Sequence, residues 1–181
     1  MRVSKQKAAE NRQRILTEAA RLFREHGLSG VGVDAVTNAA GLTHGSVYSQ
    51  FGSKERLAAE AFDHAVRRNS ANMREVDTLD DYVMRYLSKD HCDGRGEGCA
   101  MAALLGEMPR QGTAVRRGFT DAVRGFSKRI AALMPRRRRS EDAALATIAT
   151  MLGALSLARA VDDADLSDRI LAAARKSLTS H

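Results

Sequence analysis

Proline is nearly absent. Only Pro109 and Pro135 occur in 181 residues, so almost no position is barred from a helix by a missing N–H or a fixed φ. Alternating β-branched runs are also scarce, while Ala, Leu, Arg, Glu and Met dominate, and the chain reads as all-α. Cysteine is limited to Cys92 and Cys99, too few for a disulfide scaffold and in keeping with a reducing compartment. No apolar run approaches the roughly 18 to 20 residues of a membrane span. The basic start, MRVSKQKAAENRQR, leads into no apolar segment, so no secretory signal is expected. These absences make the cytoplasm the expected location and exclude a membrane partner. There is no internal repeat, and no phosphate loop, HExxH or Gly-x-Ser-x-Gly elbow, so an enzyme is not expected.

Charge and apolar content set the positive expectations. An apolar share of 44% supports a real core, and 29 basic against 22 acidic residues leave a net charge of +7. Residues 1–54 hold eight Lys or Arg against four acids. More than half of the surplus therefore lies in under a third of the chain, which favours a polyanion contact there. The first helix is expected from near Lys7 to Glu25, with Ile15, Leu16, Ala19, Leu22 and Phe23 on one face. Gly27 closes it, and Lys5 and Lys7 form a short basic arm ahead of it.

Residues 33–40 predict a short second helix broken by Gly41, and residues 44–50 a third with Thr43 as its N-cap. Two short helices across a glycine turn match a helix-turn-helix, here about residues 32–51, whose second helix enters the major groove. Val36, Ala40, Leu42, Val47 and Phe51 pack between the helices, which leaves His44, Ser46, Tyr48, Ser49 and Gln50 on the outer face. Ser53 caps a fourth helix carrying Leu57, Ala58, Ala61, Phe62, Ala65 and Val66 as an apolar stripe.

From Ile15 to Leu57 the chain resembles the TetR family of bacterial transcriptional regulators. The resemblance rests on "FREHG", "AAGLTHGSVYSQF" and "GSKERL", including the spacing of Tyr48, Phe51 and Lys54. It implies a homodimer that binds palindromic double-stranded DNA, usually represses, and lets go when a small molecule binds the C-terminal domain. It also implies DNA contacts from Thr43, His44, Gly45 and Ser46 at the start of the recognition helix, with Tyr48 and Lys54 on the backbone. Ser49 and Gln50 fall where the family varies and reads bases, and Gln can pair two-pronged with adenine. Two positions depart from the family pattern. His44 stands for a more usual lysine, and Gly32 for a Ser or Thr whose hydroxyl would bind phosphate.

The expected division is residues 9–69 for the DNA-binding domain and 70–181 for a ligand-binding and dimerisation domain, about nine helices in all. Residues 70–77 are expected to be irregular, 78–90 helical, 91–98 a glycine-rich mobile loop, and 99–108 a short helix. A long helix spans 113–134. The Arg136 to Arg139 run reads as a solvated loop rather than a second nucleic-acid patch. Ser140 caps the next helix, ALATIATMLGALSLARAV, which is apolar almost all round and so must be covered on every side. The resemblance assigns this helix and the last one to the dimer interface, with Ile148, Met151, Leu152, Leu155, Ile170, Leu171 and Ala174 as candidates.

A ligand pocket is expected among Phe62, Tyr82, Tyr86, Met101, Leu105, Met108, Phe119 and Phe126, although such residues more often simply fill a core. Asp90, His91, Cys92, Asp93, Glu97 and Cys99 are metal-ligand types, but the gap between the cysteines is not a zinc spacing, and no metal or cofactor is expected. A Cys99 nucleophile with His91 as base lacks a group to orient it. Cys99 is a candidate redox sensor at a helix N-terminus, in a Gly-Cys-x-Met-Ala-Ala-Leu context that resembles one subgroup of the family. Its plainer reading is a small buried residue. The rival to a DNA-binding regulator is a helical interaction module without DNA binding, which would not need the polar turn and helix of residues 41–54.

Overall fold

A computed structural model describes residues 5–179. Among them are ten α-helices, two 3-10 turns and no strand: α1 (Lys5–Gly30), α2 (Val33–Ala39), α3 (Gly45–Phe51), α4 (Lys54–Asn72), α5 (Leu79–Tyr86), α6 (Lys89–Asp93), α7 (Ala100–Leu104), α8 (Thr113–Leu133), α9 (Glu141–Ala160) and α10 (Ala164–Thr179). Lys5 and Lys7 are not an arm ahead of α1. Both lie exposed in its first turns, where the apolar spacing further on extends the helix N-terminally.

Helix α1 is interrupted at Gly27, whose φ of +78° is open to glycine at little cost. A side chain there would also run into the Glu107 carboxylate. That carboxylate accepts hydrogen bonds from the backbone N–H of Leu28 (3.1 Å) and Ser29 (3.2 Å), two donors freed where the helix breaks. Serine caps fix the other boundaries. Ser53 accepts from Arg56 N and Ser140 from Ala143 N, with Glu55, Glu141 and Asp142 in the first turns that follow.

The stretch 78–90 is not one helix. Thr78 caps α5, and Ser88 caps a separate α6 by accepting from His91 N. The glycine-rich segment after it is tied to three elements: Arg24 Nε donates to Gly96 O (2.7 Å), Asn69 Nδ2 to Glu97 O (3.3 Å), and Arg95 Nη2 to Arg159 O (3.0 Å). The helix expected over 99–108 tightens at Leu105 into a 3-10 turn, Leu105–Arg110, that accommodates Pro109. Arg136–Arg138 forms a second 3-10 turn, and Arg139 Nη2 donates to the terminal carbonyls of α8 at Ala132 and Met134.

The core is continuous. Helix α4 packs on α1 on one side and on α8 on the other, and α8, α9 and α10 follow in sequence. The boundary drawn at residue 69 falls within α4, which continues to Asn72. Phe23, Phe51, Leu57, Leu87, Leu104, Ile130, Met151, Leu155 and Leu171 are among the largest fully buried side chains. Each such burial stabilises by about 1.5–3 kcal/mol relative to exposure.

The structure bears on two expectations about α9. Glu141–Ala160 is long and apolar enough to cross a membrane by length and composition, although eight of its residues are buried in the bundle. Its many small residues raise the average without making a bulky run. Second, Ile148, Met151, Leu152 and Leu155 are buried within the chain, as are Leu171 and Ala174 of α10, and Ile170 is partly buried against the core. In the single chain these six residues expose little surface. Ile148, Met151, Leu152 and Leu155 face the bundle, and Leu145, Ala146, Ala149 and Leu157 face out, with Gly153 half-covered between them.

Candidate nucleic-acid interface and ligand cavity

The head presents α3 by anchoring one side of it. Val47 and Phe51 are almost completely buried, which forces Tyr48 and Ser49 outward, Tyr48 with 47% of its surface exposed. Gly41, at φ +61°, makes the turn between α2 and α3, and Leu42 N donates to Thr37 O (2.9 Å) across it. Two arginines of α1 hold this unit together. Arg14 donates to Ala40 O, and Arg12 lies 4.7 Å over the Phe51 ring while pairing with Glu60 of α4.

The expected outer face is present with two changes. Thr43 is not the N-cap of α3: His44 occupies that position in helical φ/ψ without a side-chain cap bond, and the Thr43 hydroxyl pairs instead with Ser46 Oγ (3.2 Å). His44 Nδ1 meets the Asp34 carboxylate, and its ring lies 5.1 Å from that of Tyr48. Sequence reasoning missed Asp34, because its partner lies ten residues away across the turn. Gly45 opens α3, Ser49 Oγ donates to Ser46 O (3.1 Å), Gln50 is partly exposed, and Lys54 stands partly exposed in the first turn of α4. Gly32 is the N-cap of α2 with no side-chain bond, and a Cβ there would meet nothing within 4 Å.

The body holds a cavity of about 1070 Å³ between α4, α5, the 88–101 segment and α8. Of the eight expected lining residues, Tyr82, Tyr86, Met101 and Phe126 border it. The other four do not. Phe62 and Phe119 pack on each other, ring centres 5.8 Å apart, and Met108 is buried elsewhere in the core. Leu105 is 38% exposed, because the change to 3-10 geometry turns it outward. The wall residues that apolar periodicity could not flag are polar, among them Asn69, His91, Arg85, Arg117 and Arg129.

His91 has both ring nitrogens engaged. Cys99 N–H donates to Nε2 (2.9 Å), so Nε2 is unprotonated and Nδ1 carries the proton toward Tyr86 O (2.5 Å). Burial holds this imidazole below its ordinary pKa, the Tyr86 carbonyl opposes that, and Arg159 adds to it. The ring addresses the Cys99 backbone rather than its thiol, which leaves the sulfur without a base. Cys99 is buried at the N-cap of α7 and borders the cavity. Among the described residues no three His, Cys, Asp or Glu gather as a metal site.

Residues 15–61 match the family described as "Bacterial regulatory proteins, tetR family". That match covers the head alone. The same head is 40% identical over 62 residues to the HTH-type transcriptional regulator AcrR of Shigella flexneri, covering 34% of this chain and 29% of that one. It is 39% identical over 70 residues to the HTH-type transcriptional repressor AcnR of Corynebacterium glutamicum, covering 39% and 35%. The chain thus matches about a third of the length of these relatives. The body is reached by fold: a TetR-family transcriptional regulator from Cytophaga hutchinsonii superposes with a TM-score of 0.79 at 23% identity, over 99% of this chain and 98% of that one.

Proposed function

We propose that the chain is a cytoplasmic one-component transcriptional regulator, a repressor that binds a palindromic operator as a homodimer and releases it when a small molecule enters the body cavity. The observation that carries this reading is the polar, exposed side of α3 on a head whose opposite side is locked into the core. Tyr48 and Lys54 grip the phosphate backbone, Ser49 and Gln50 meet base edges, and Thr43, His44, Gly45 and Ser46 seat the start of α3 against the groove. Lys5 and Lys7 add charge at the start of α1. The purified chain should shift DNA from its own upstream region. If it retains no palindromic DNA at low salt, the reading fails and the helical interaction module takes its place.

A palindrome needs a two-fold partner, and an isologous contact uses one patch twice. The outward face of α9, Leu145, Ala146, Ala149, Gly153 and Leu157, together with exposed Leu166 of α10, supplies an apolar patch for such a contact. Sedimentation at the monomer mass would contradict it. A thiol-reactive inducer is the second reading, supported by Cys99 in the cavity wall and by its Gly-Cys-x-Met-Ala-Ala-Leu context. Replacing Cys99 with Ser should then abolish release of DNA by oxidants, and unchanged release ends that idea.

A further inference from the structure

The cavity sorts its polar groups by depth. At the buried end Tyr82, Tyr86 and Phe126 form a cluster with ring centres 5.8–6.4 Å apart, and His91 stands edge-on to Tyr86 at 4.8 Å. Flat walls of this kind suit a flat ring, which gains from offset or edge contacts. Among the residues that border this space, Asn69 has a buried Oδ1 with no hydrogen-bond partner among the described residues, and the buried Tyr86 hydroxyl has only the Cys99 thiol beside it. Burial, reinforced by the neighbouring Cys99 thiol, pushes the Tyr86 phenol well above its ordinary pKa, so it stays protonated as a donor, while Asn69 Oδ1 can only accept. Buried polar groups are nearly always paired, and a ligand hydroxyl can accept from the Tyr86 phenol and donate to Asn69 Oδ1.

The exposed rim differs. Arg74, Arg85 and Arg117 border the cavity, and none of them forms an ion pair with a carboxylate among the described residues. Three of the four acids there are held from outside the cavity: Asp63 by Arg67, Glu97 by Arg68 (2.9 Å) and Asp121 by Arg124 (3.3 Å). Asp90 alone remains against three unpaired guanidiniums, so the rim favours an anion, and guanidinium geometry favours a carboxylate.

We infer that the cavity takes a hydroxylated aromatic carboxylic acid, ring and hydroxyl inward against Tyr86 and Asn69, carboxylate outward among Arg74, Arg85 and Arg117. This rests on reading the cavity as the inducer site. The test is titration calorimetry of the full chain with 6-hydroxy-2-naphthoate, its methyl ester, and 2-naphthylmethylammonium. The acid should bind about tenfold or more tightly than the ester, and the ammonium more weakly than either, as expected for a charge-assisted contact. Changing Arg85 and Arg117 together to Gln should erase the acid's advantage. Tyr86→Phe should weaken acid and ester alike by roughly tenfold, the scale of one buried hydrogen bond. Equal binding of acid and ester, preference for the ammonium, or an unaffected Tyr86→Phe variant would each overturn the inference. DNA anisotropy separates it from the inducer reading. Acid bound without loss of DNA affinity refutes induction and leaves the ligand class standing, whereas a chain that holds DNA but binds none of the acids refutes the ligand class.

Discussion

Helices α3 and α9 solve opposite problems. Helix α3 is seven residues long, buries Val47 and Phe51, and offers its polar side to solvent. Helix α9 is twenty residues long, buries Ile148, Met151, Leu152 and Leu155 in its own bundle, and still offers an apolar outer face with Leu145, Ala146, Ala149 and Leu157. The first is held by its neighbours so that it can touch a polar partner, and the second holds its neighbours and has an apolar face left over. Apolar residues of large and small size lie on both faces of α9, so neither polarity nor size tells the inner face from the outer.

The largest test of that contrast lies within α9. Leu155→Ala should lower unfolding free energy by about 2–5 kcal/mol, as a buried cavity does, seen as an earlier chemical-denaturation midpoint. Leu157→Glu, two residues on and 58% exposed, should leave monomer stability within about 0.5 kcal/mol, as surface changes do, yet shift sedimentation from dimer to monomer. If Leu157→Glu unfolds the chain and Leu155→Ala only dissociates it, the two faces have been assigned the wrong way round. Next in size, Lys54→Ala should weaken binding to all DNA sequences and reduce the slope of log K against log salt by about 0.9. Gln50→Ala should change preference among sites and leave the slope unaltered.

A smaller effect is pH-dependent. The His91 pKa lies below its ordinary 6.5 in the folded chain because burial disfavours the charged ring. The unfolded chain therefore takes up the proton first, and stability present above pH 6.5 is lost as pH falls through the lower folded value. His91→Asn should be less stable at neutral pH, and its deficit should shrink as pH falls toward 5. A constant deficit would show that folding does not lower the His91 pKa. The smallest effect is expected at Gly32→Ser, which gives α2 a side-chain cap in open space. It should add a few tenths of a kcal/mol and strengthen DNA binding if the new hydroxyl reaches phosphate.

Legibility followed the range of the interactions involved. The head could be read because its cues are local: Gly41 at the turn, Ser53 at the cap, and Val47 and Phe51 four residues apart. Ser88 was an equally local cue for α6, overlooked because the apolar spacing before it suggested one longer helix. The cavity was half legible. Tyr82 and Tyr86 face it and Phe62 does not, a matter of how α4 and α8 rotate against each other, which no spacing encodes. The faces of α9 were hidden because a helix apolar all round gives no direction, and the resemblance to a family supplied an interface without saying which side carried it.

The Glu107 carboxylate that braces the broken end of α1 has a mechanical consequence. With Arg24 tied to the Gly96 carbonyl close by, the trailing end of the head is fastened to the body at a place separate from α4. A body fastened at two separate places cannot glide along its neighbour. Two arms of contact join α1 to the rest of the chain, one through α4 and one through the Glu107 and Gly96 contacts.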